Sequence, residues 1–295
     1  MCATCGCSGA AVIRLVTADE PAPADGRRAA GLPRGVRDLR EHRTHSRAAH
    51  DHGPHDHGPP DHPEDDDLLV AGQRDSDRTV VLQQKVLAKN DSLAQRNREW
   101  LRQRGILAVN LMSSPGAGKT TLLERTAAEL AGRLSISVIE GDQETALDAR
   151  RIRSAGCKVV QINTGVGCHL DAEMLADGLQ ALDPQAGSIV VIENVGNLVC
   201  PALFDLGEAA RVVLASVTEG ADKPVKYPHM FRQADLVLVT KTDLLPYVDF
   251  DIRRYAADLR KVSPGAMMLK LSAVTGEGMD SWYDWLRRRT PAPQE

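Results

Sequence analysis

The chain has 295 residues, 42% of them apolar and 3% aromatic, with a net charge of −4 at pH 7. That length holds one large domain or two small ones, and the interspersed charges give no broad basic face, which argues against a nucleic-acid partner. Apolar runs such as ILAVNLM and SIVVIENVG fall far short of the roughly 18 to 20 residues that cross a bilayer, and the N-terminus lacks a signal-peptide apolar segment, so a cytoplasmic chain without membrane insertion is expected. Thiols stay reduced in that compartment, so the six cysteines point to metal or redox chemistry before disulfides.

Residues 1–78 read as a disordered metal-binding arm. No Phe, Trp or Tyr precedes Trp100, whereas seven of sixteen prolines and seven of nine histidines fall in the first 63 residues. A segment so poor in large apolar side chains cannot offset its ordering entropy. It opens MCATCGC. Removal of Met1 would leave an α-amine that chelates together with the Cys2 thiolate, and Cys5 and Cys7 add two thiolates across Gly6. The set suits square-planar Ni²⁺, with Zn²⁺ or an iron–sulfur cluster as competing occupants. Further on, EHRTHSRAAHDHGPHDHGPPDH places His42, His45, His50, His52, His55, His57 and His62 within 21 residues, a dense imidazole tract able to hold Ni²⁺, Zn²⁺ or Cu²⁺ loosely as a store. The acidic run EDDD at 64–67 reads as a solvated linker.

Val86, Leu93 and Trp100 recur every seven residues before Gly105, which predicts an amphipathic helix in the segment 79–104 that packs on the domain after it. A coiled-coil partner helix is the weaker reading, because the repeat is short.

From Ile106 onward ILAVNLMS, ISVIEGD, KVVQINT, SIVVIEN, RVVLASV, ADLVLVTKTD and MMLKLSA alternate with helical patterns. Short apolar strands buried on both faces and separated by helices predict an α/β domain over 105–290, a doubly wound, mostly parallel sheet. Ligands of such sheets sit outside the carboxyl ends of the strands.

The first of these strands runs into SSPGAGKTT. In the turn formed by Ser114, Pro115, Gly116, Ala117 and Gly118, glycines let backbone amides face an anion, and the helix that opens at Lys119, Thr120 and Thr121 adds its positive end. Lys119 would reach the β- and γ-phosphates, and the Thr120 hydroxyl would ligate Mg²⁺. Ser113 stands at the first glycine of the usual G-x-x-x-x-G-K-[ST] pattern. In TKTD, Asp243 can accept from N1–H and the exocyclic amine of guanine, whereas adenine would leave the carboxylate unpaired, so GTP is the expected nucleotide. The Lys241 stem can lie along the base, and Ser272 and Ala273, read as the end of the last strand, can offer a backbone amide to the guanine carbonyl. Thr240 replaces the asparagine more often seen first in this motif. Asp142 and Glu193, each at a strand end, are candidates to hold Mg²⁺ and orient the attacking water; capping or turn formation is the bland alternative.

Cys168 and His169 follow one strand, and Cys200 lies in the loop after Glu193. Thiolate and imidazole suit Zn²⁺ or Ni²⁺, and three side chains are one short of a closed four-coordinate set, leaving a place for water or a second subunit; taken without the rest of the chain, two buried cysteines and one surface histidine are the favoured reading. Since Cys200 shares its loop with Glu193, events at the γ-phosphate could move a metal ligand. Cys157 and His229 read as structural.

Together CATCGC, the histidine tract, NDSLAQRNR, SSPGAGKTT, the CH pair at 168–169, ENVGNLVCP and TKTD resemble the HypB family, GTPases that help insert nickel into [NiFe] hydrogenases. The resemblance implies a SIMIBI-class P-loop GTPase that hydrolyses GTP to GDP and phosphate. It also implies a tight nickel site at Cys2, Cys5 and Cys7, with a weaker nickel or zinc site at Cys168, His169 and Cys200. Implied partners are a HypA-like nickel chaperone, the hydrogenase large subunit and a second copy of the chain in a nucleotide-dependent dimer. A urease-type nickel-insertion GTPase is similar, but its CPH motif is missing here. A non-catalytic nickel or zinc store with a vestigial nucleotide domain is opposed by the intact Lys119, Thr120, Asp142, Glu193 and Asp243.

Overall fold

A computed structural model describes residues 11–16, 66–142, 147–165 and 167–291, with the backbone alone over 66–83. The chain divides into two units, residues 21–80 and the remainder, and every described strand belongs to the latter. In chain order its elements are β1 (Val12–Leu15), α1 (Asp66–Gln103, shared between the units), β2 (Leu107–Ser113), α2 (Lys119–Leu130), β3 (Ile136–Asp142), α3 (Leu147–Ser154), β4 (Lys158–Asn163), α4 (Ala172–Leu182), β5 (Ile189–Glu193), β6 (Ala210–Ser216), α5 (Lys223–Lys226), α6 (Pro228–Arg232), β7 (Leu236–Thr240), α7 (Ile252–Val262), β8 (Met267–Lys270) and α8 (Met279–Arg289). Short 3₁₀ turns span Cys200–Ala202 and Thr242–Tyr247.

The strands form one eight-stranded sheet in the order β1-β4-β3-β5-β2-β6-β7-β8, parallel throughout except for β1. All seven strands expected after Ile106 form, because IVVIE or LVLVT can only be satisfied between two helical layers. Alternation along each strand divides the core. Val109, Leu111, Val191 and Val212 face α2, α3 and α8, where Leu122, Ile152 and Trp282 pack. Ala108, Val190 and Ile192 face Leu101 of α1 and Leu175 of α4, while Met112, Val213 and Val239 meet Phe231 and Tyr255.

Three features depart from the sequence reading. β1 lies within the segment assigned to the arm, where Val12↔Asn163 to Leu15↔Val160 pair antiparallel and Val16 is buried. Four residues that include an arginine carry too weak an alternation to be read alone. Helix α1 begins at Asp66 and not near residue 79, so it takes in the end of the acidic run read as linker. Its buried stripe is Asn90, Ala94, Asn97 and Leu101, whereas Val86 of the heptad is 44% exposed. Finally, β8 stops at Lys270, so Ser272 and Ala273 lie in the turn beyond it.

Candidate nucleotide and metal site

At the carboxyl end of the sheet, β2 ends at Ser113 and the chain turns through Gly116 (φ 75°) into Gly118 (φ 99°), which caps α2. Both glycines occupy the left-handed region that a Cβ disfavours. It borders a cleft of about 490 Å³ lined by residues 115–121, Asp142, Glu193 and Lys241. Lys119, nearly buried, donates from Nζ to Ser113 Oγ at 3.0 Å, and burial lowers its pKa. The serine in place of glycine thus provides a rest for the lysine.

Thr120 Oγ1 donates to Glu193 Oε1 at 2.8 Å, and Glu193 Oε2 is buried with no partner among the described residues. Burial pushes the Glu193 carboxyl up to about 7, against the pull of Lys119. A hydroxyl and a carboxylate with one orphaned oxygen fit a hard divalent cation such as Mg²⁺. Asp142, at the end of β3, lines the same cleft.

The TKTD segment is tied to this turn directly. Thr240 Oγ1 donates to Ala117 O at 2.7 Å and Lys241 Nζ to Gly116 O at 2.7 Å. Lys241 takes a left-handed conformation (φ 58°), from which the 3₁₀ turn carrying Asp243 starts. Asp243 Oδ1 is buried without a partner among the described residues. Ser114, Asp243, Ser272 and Ala273 are not among the residues lining the cleft. Buried Ser272 instead organises its turn by accepting from Val274 N and Thr275 N on Oγ.

The structure brings Cys168, His169 and Cys200 together: one ligand atom from each lies within 4.8 Å of the other two. Cys168 Sγ is 3.7 Å from His169 Nδ1, and the His169 ring stacks on Phe204 with centroids 3.9 Å apart. Burial, and then the neighbouring Cys200 sulfur, push the Cys168 thiol up to about 11. Soft sulfur donors beside an imidazole fit Ni²⁺ or Zn²⁺. Between this cluster and the cleft stands Asn194, whose Oδ1 accepts from Leu170 N at 3.2 Å and from Val195 N at 2.9 Å. One side chain beside Glu193 therefore holds the loop that carries His169. Cys157 is buried and its thiol is pushed up to about 11, while His229 lies in α6. Cys2, Cys5, Cys7 and the seven histidines from His42 to His62 lie outside the described residues.

Residues 107–270 match the family model for the CobW/HypB/UreG nucleotide-binding domain. The hydrogenase maturation factor HypB of Rhizobium leguminosarum bv. viciae is 54% identical over 210 residues, covering 71% of this chain and 70% of that relative. The chain belongs to the HypB family of hydrogenase maturation factors. HypB from Archaeoglobus fulgidus is similar in structure at a TM-score of 0.65 and 42% identity, covering 69% of this chain and all of that one (100%). HypB from Helicobacter pylori, solved in complex with nickel, is similar at a TM-score of 0.64 and 37% identity, covering 70% of this chain and 99% of that one.

Sequence reasoning missed several residues of this HypB site. Glu140, Asp148 and Arg151 line the cleft. Glu140 had a legible signal, a carboxylate two residues before Asp142 on the same face of an apolar strand. Lys223 donates to Ser114 Oγ at 2.8 Å and pairs with Glu219, and Arg125 donates to Ala273 O and Val274 O, each at 3.0 Å. These last two contacts join distant segments and leave no local pattern. Among the described residues no helix is long and apolar enough to cross a membrane.

Proposed function

We propose that this chain is a cytoplasmic GTPase that stores nickel and delivers it during [NiFe]-hydrogenase maturation, with metal handling coupled to the nucleotide state. In this reading the turn of residues 114–121, through the backbone N–H groups that follow Pro115, and the Lys119 ammonium hold the phosphates. Asp243 reads guanine, with Lys241 along the base and the turn at Ser272 and Ala273 at its carbonyl edge. Thr120, Asp142 and Glu193 would hold Mg²⁺, which neutralises charge on the transferring phosphoryl group. The two carboxylates also orient the attacking water.

Nickel is the cargo. Cys2, Cys5 and Cys7 hold it tightly on the arm of residues 1–78, and the histidine tract stores more. Cys168, His169 and Cys200 take nickel or zinc more weakly. Three ligands leave a position open, and Val199 and Leu203, 55% and 54% exposed beside Cys200, offer an apolar surface to a second copy of the chain. A HypA-like chaperone and the hydrogenase large subunit would give and receive the metal. The nickel in the H. pylori relative supports the choice of ion.

The observation that carries the coupling is Asn194, whose side chain bonds both to its own loop, next to Glu193, and to the backbone beside His169. Nickel affinity of the full-length chain, measured with GDP and with a non-hydrolysable GTP analogue, tests it. The two nucleotides should give different affinities, and Mg²⁺-dependent GTP turnover should exceed background. Equal affinities would remove the coupling, and absent turnover would favour a passive store.

A further inference from the structure

NDSLAQRNR, singled out in the sequence, has no role in the nucleotide or metal chemistry above, yet its side chains reach the two loops that carry the thiolate–imidazole cluster. Asn90 Oδ1 accepts from Ala172 N at 2.9 Å, and Asn97 Nδ2 donates to Ala172 O at 2.8 Å, so both backbone groups of one residue are held by α1. Ala172 lies three positions after His169. On the other loop, Asn90 Nδ2 donates to Asp205 O at 2.8 Å and Asn97 Nδ2 to Leu206 O at 3.0 Å. These carbonyls directly follow Phe204, whose ring stacks on His169. Arg98 Nη2 grips the Asp205 carboxylate through both oxygens at 2.8 and 2.7 Å. Gly207, at φ 88°, lets this loop lie against α1, since a Cβ there would collide with the Ala94 carbonyl.

Asn90 and Asn97 are both buried, at 5% and 6% exposure. Buried amides in a helix interior cost helix propensity and desolvation unless their bonds are needed. Apolar residues would pack α1 on the sheet as Leu101 does; these two amides instead fix the spacing between two loop ends.

Given the metal reading above, we propose that Asn90 and Asn97 are positioning residues for the cluster: α1 clamps the Cys168–His169 loop to the Cys200–Phe204 loop through Ala172, Asp205 and Leu206. Outer partners that orient ligands change metal affinity by about 10- to 100-fold when removed. Asn97, which bridges both loops with one amide, is the centre of the clamp.

The full chain carrying Cys2→Ser, Cys5→Ser and Cys7→Ser leaves the core thiols as sources of a sulfur-to-nickel charge-transfer band. Nickel titration of this background should develop the band, and adding Cys168→Ser and Cys200→Ser should remove it. A band that survives those two changes overturns the metal reading itself. With that control satisfied, Asn97→Ala should weaken nickel by about 10- to 100-fold and alter the band, with GTP binding held at the background's level. Asn90→Ala removes one bond to each loop but leaves the Asn97 bridge, and should give a smaller loss of nickel affinity. An unaltered band and affinity in both variants overturns the clamp, as does a nickel loss matched by equal loss of GTP binding and thermal stability.

Discussion

The hydroxyl of Thr240 donates to the carbonyl oxygen of Ala117 at 2.7 Å, so the end of β7 and the glycine turn after β2 are joined by one buried bond. The residue that departs from the usual asparagine does that joining with a shorter side chain. Lys241, next in the chain, adds a second bond to the same turn through Gly116 O.

Thr240→Val keeps the shape and leaves the buried Ala117 carbonyl without this donor. A loss of about 1–3 kcal/mol is expected, shared between stability and GDP affinity. Thermal melting and a fluorescent-nucleotide titration measure it, and Thr240→Asn should recover most of it. A valine variant with native affinity and melting would mean the bond is idle.

Asp243 Oδ1 is buried without a protein partner among the described residues, as a group awaiting a base would be. Asp243→Asn should lower GTP affinity by on the order of 100-fold, the scale of a lost charge-assisted pair, while XTP binds at least as well as before. Equal losses for the two nucleotides would refute base reading.

Burial first, then Glu193, Asp142 and Asp148, push the Glu140 carboxyl up to about 9. A folded value above the unfolded one contributes stability that is full below the ordinary carboxylate range and is lost as pH rises toward 9. In chelator-treated protein, the urea midpoint should therefore fall from about pH 5 to about pH 9, and Glu140→Gln should flatten that slope. Parallel slopes in the two proteins would show that Glu140 does not set it.

Replacing Cys2, Cys5 and Cys7 together should abolish tight nickel binding in equilibrium dialysis while phosphate release from GTP continues. Collapse of hydrolysis would mean that the N-terminal thiols serve the nucleotide domain itself.

The strands were readable because burial on both faces forces continuous apolar runs, and the glycine turn because strand, glycines, lysine and helix are contiguous. Cys168, His169 and Cys200 were readable as a group for a similar reason: each follows a strand that ends on one rim. The inner face of α1 was not, since counting apolar residues finds Val86, Leu93 and Trp100 and passes over Asn90 and Asn97, whose hydrogen-bond partners are backbone groups more than seventy positions away. Lys223 and Arg125 act across 109 and 148 positions, so composition near them is uninformative.

The antiparallel run of β1 places Val12 beside Asn163, where β4 ends and the loop toward Cys168 begins. Cys7 precedes Val12 by five residues, a tether of at most about 18 Å when fully extended. On the reading proposed above, that chain length keeps Cys7 within reach of the rim that carries Cys168 and Cys200, with Cys2 allowed about twice the distance. Transfer of an ion between the two proposed sites would then be intramolecular, governed by an effective concentration of about the millimolar range that dilution of the protein does not change.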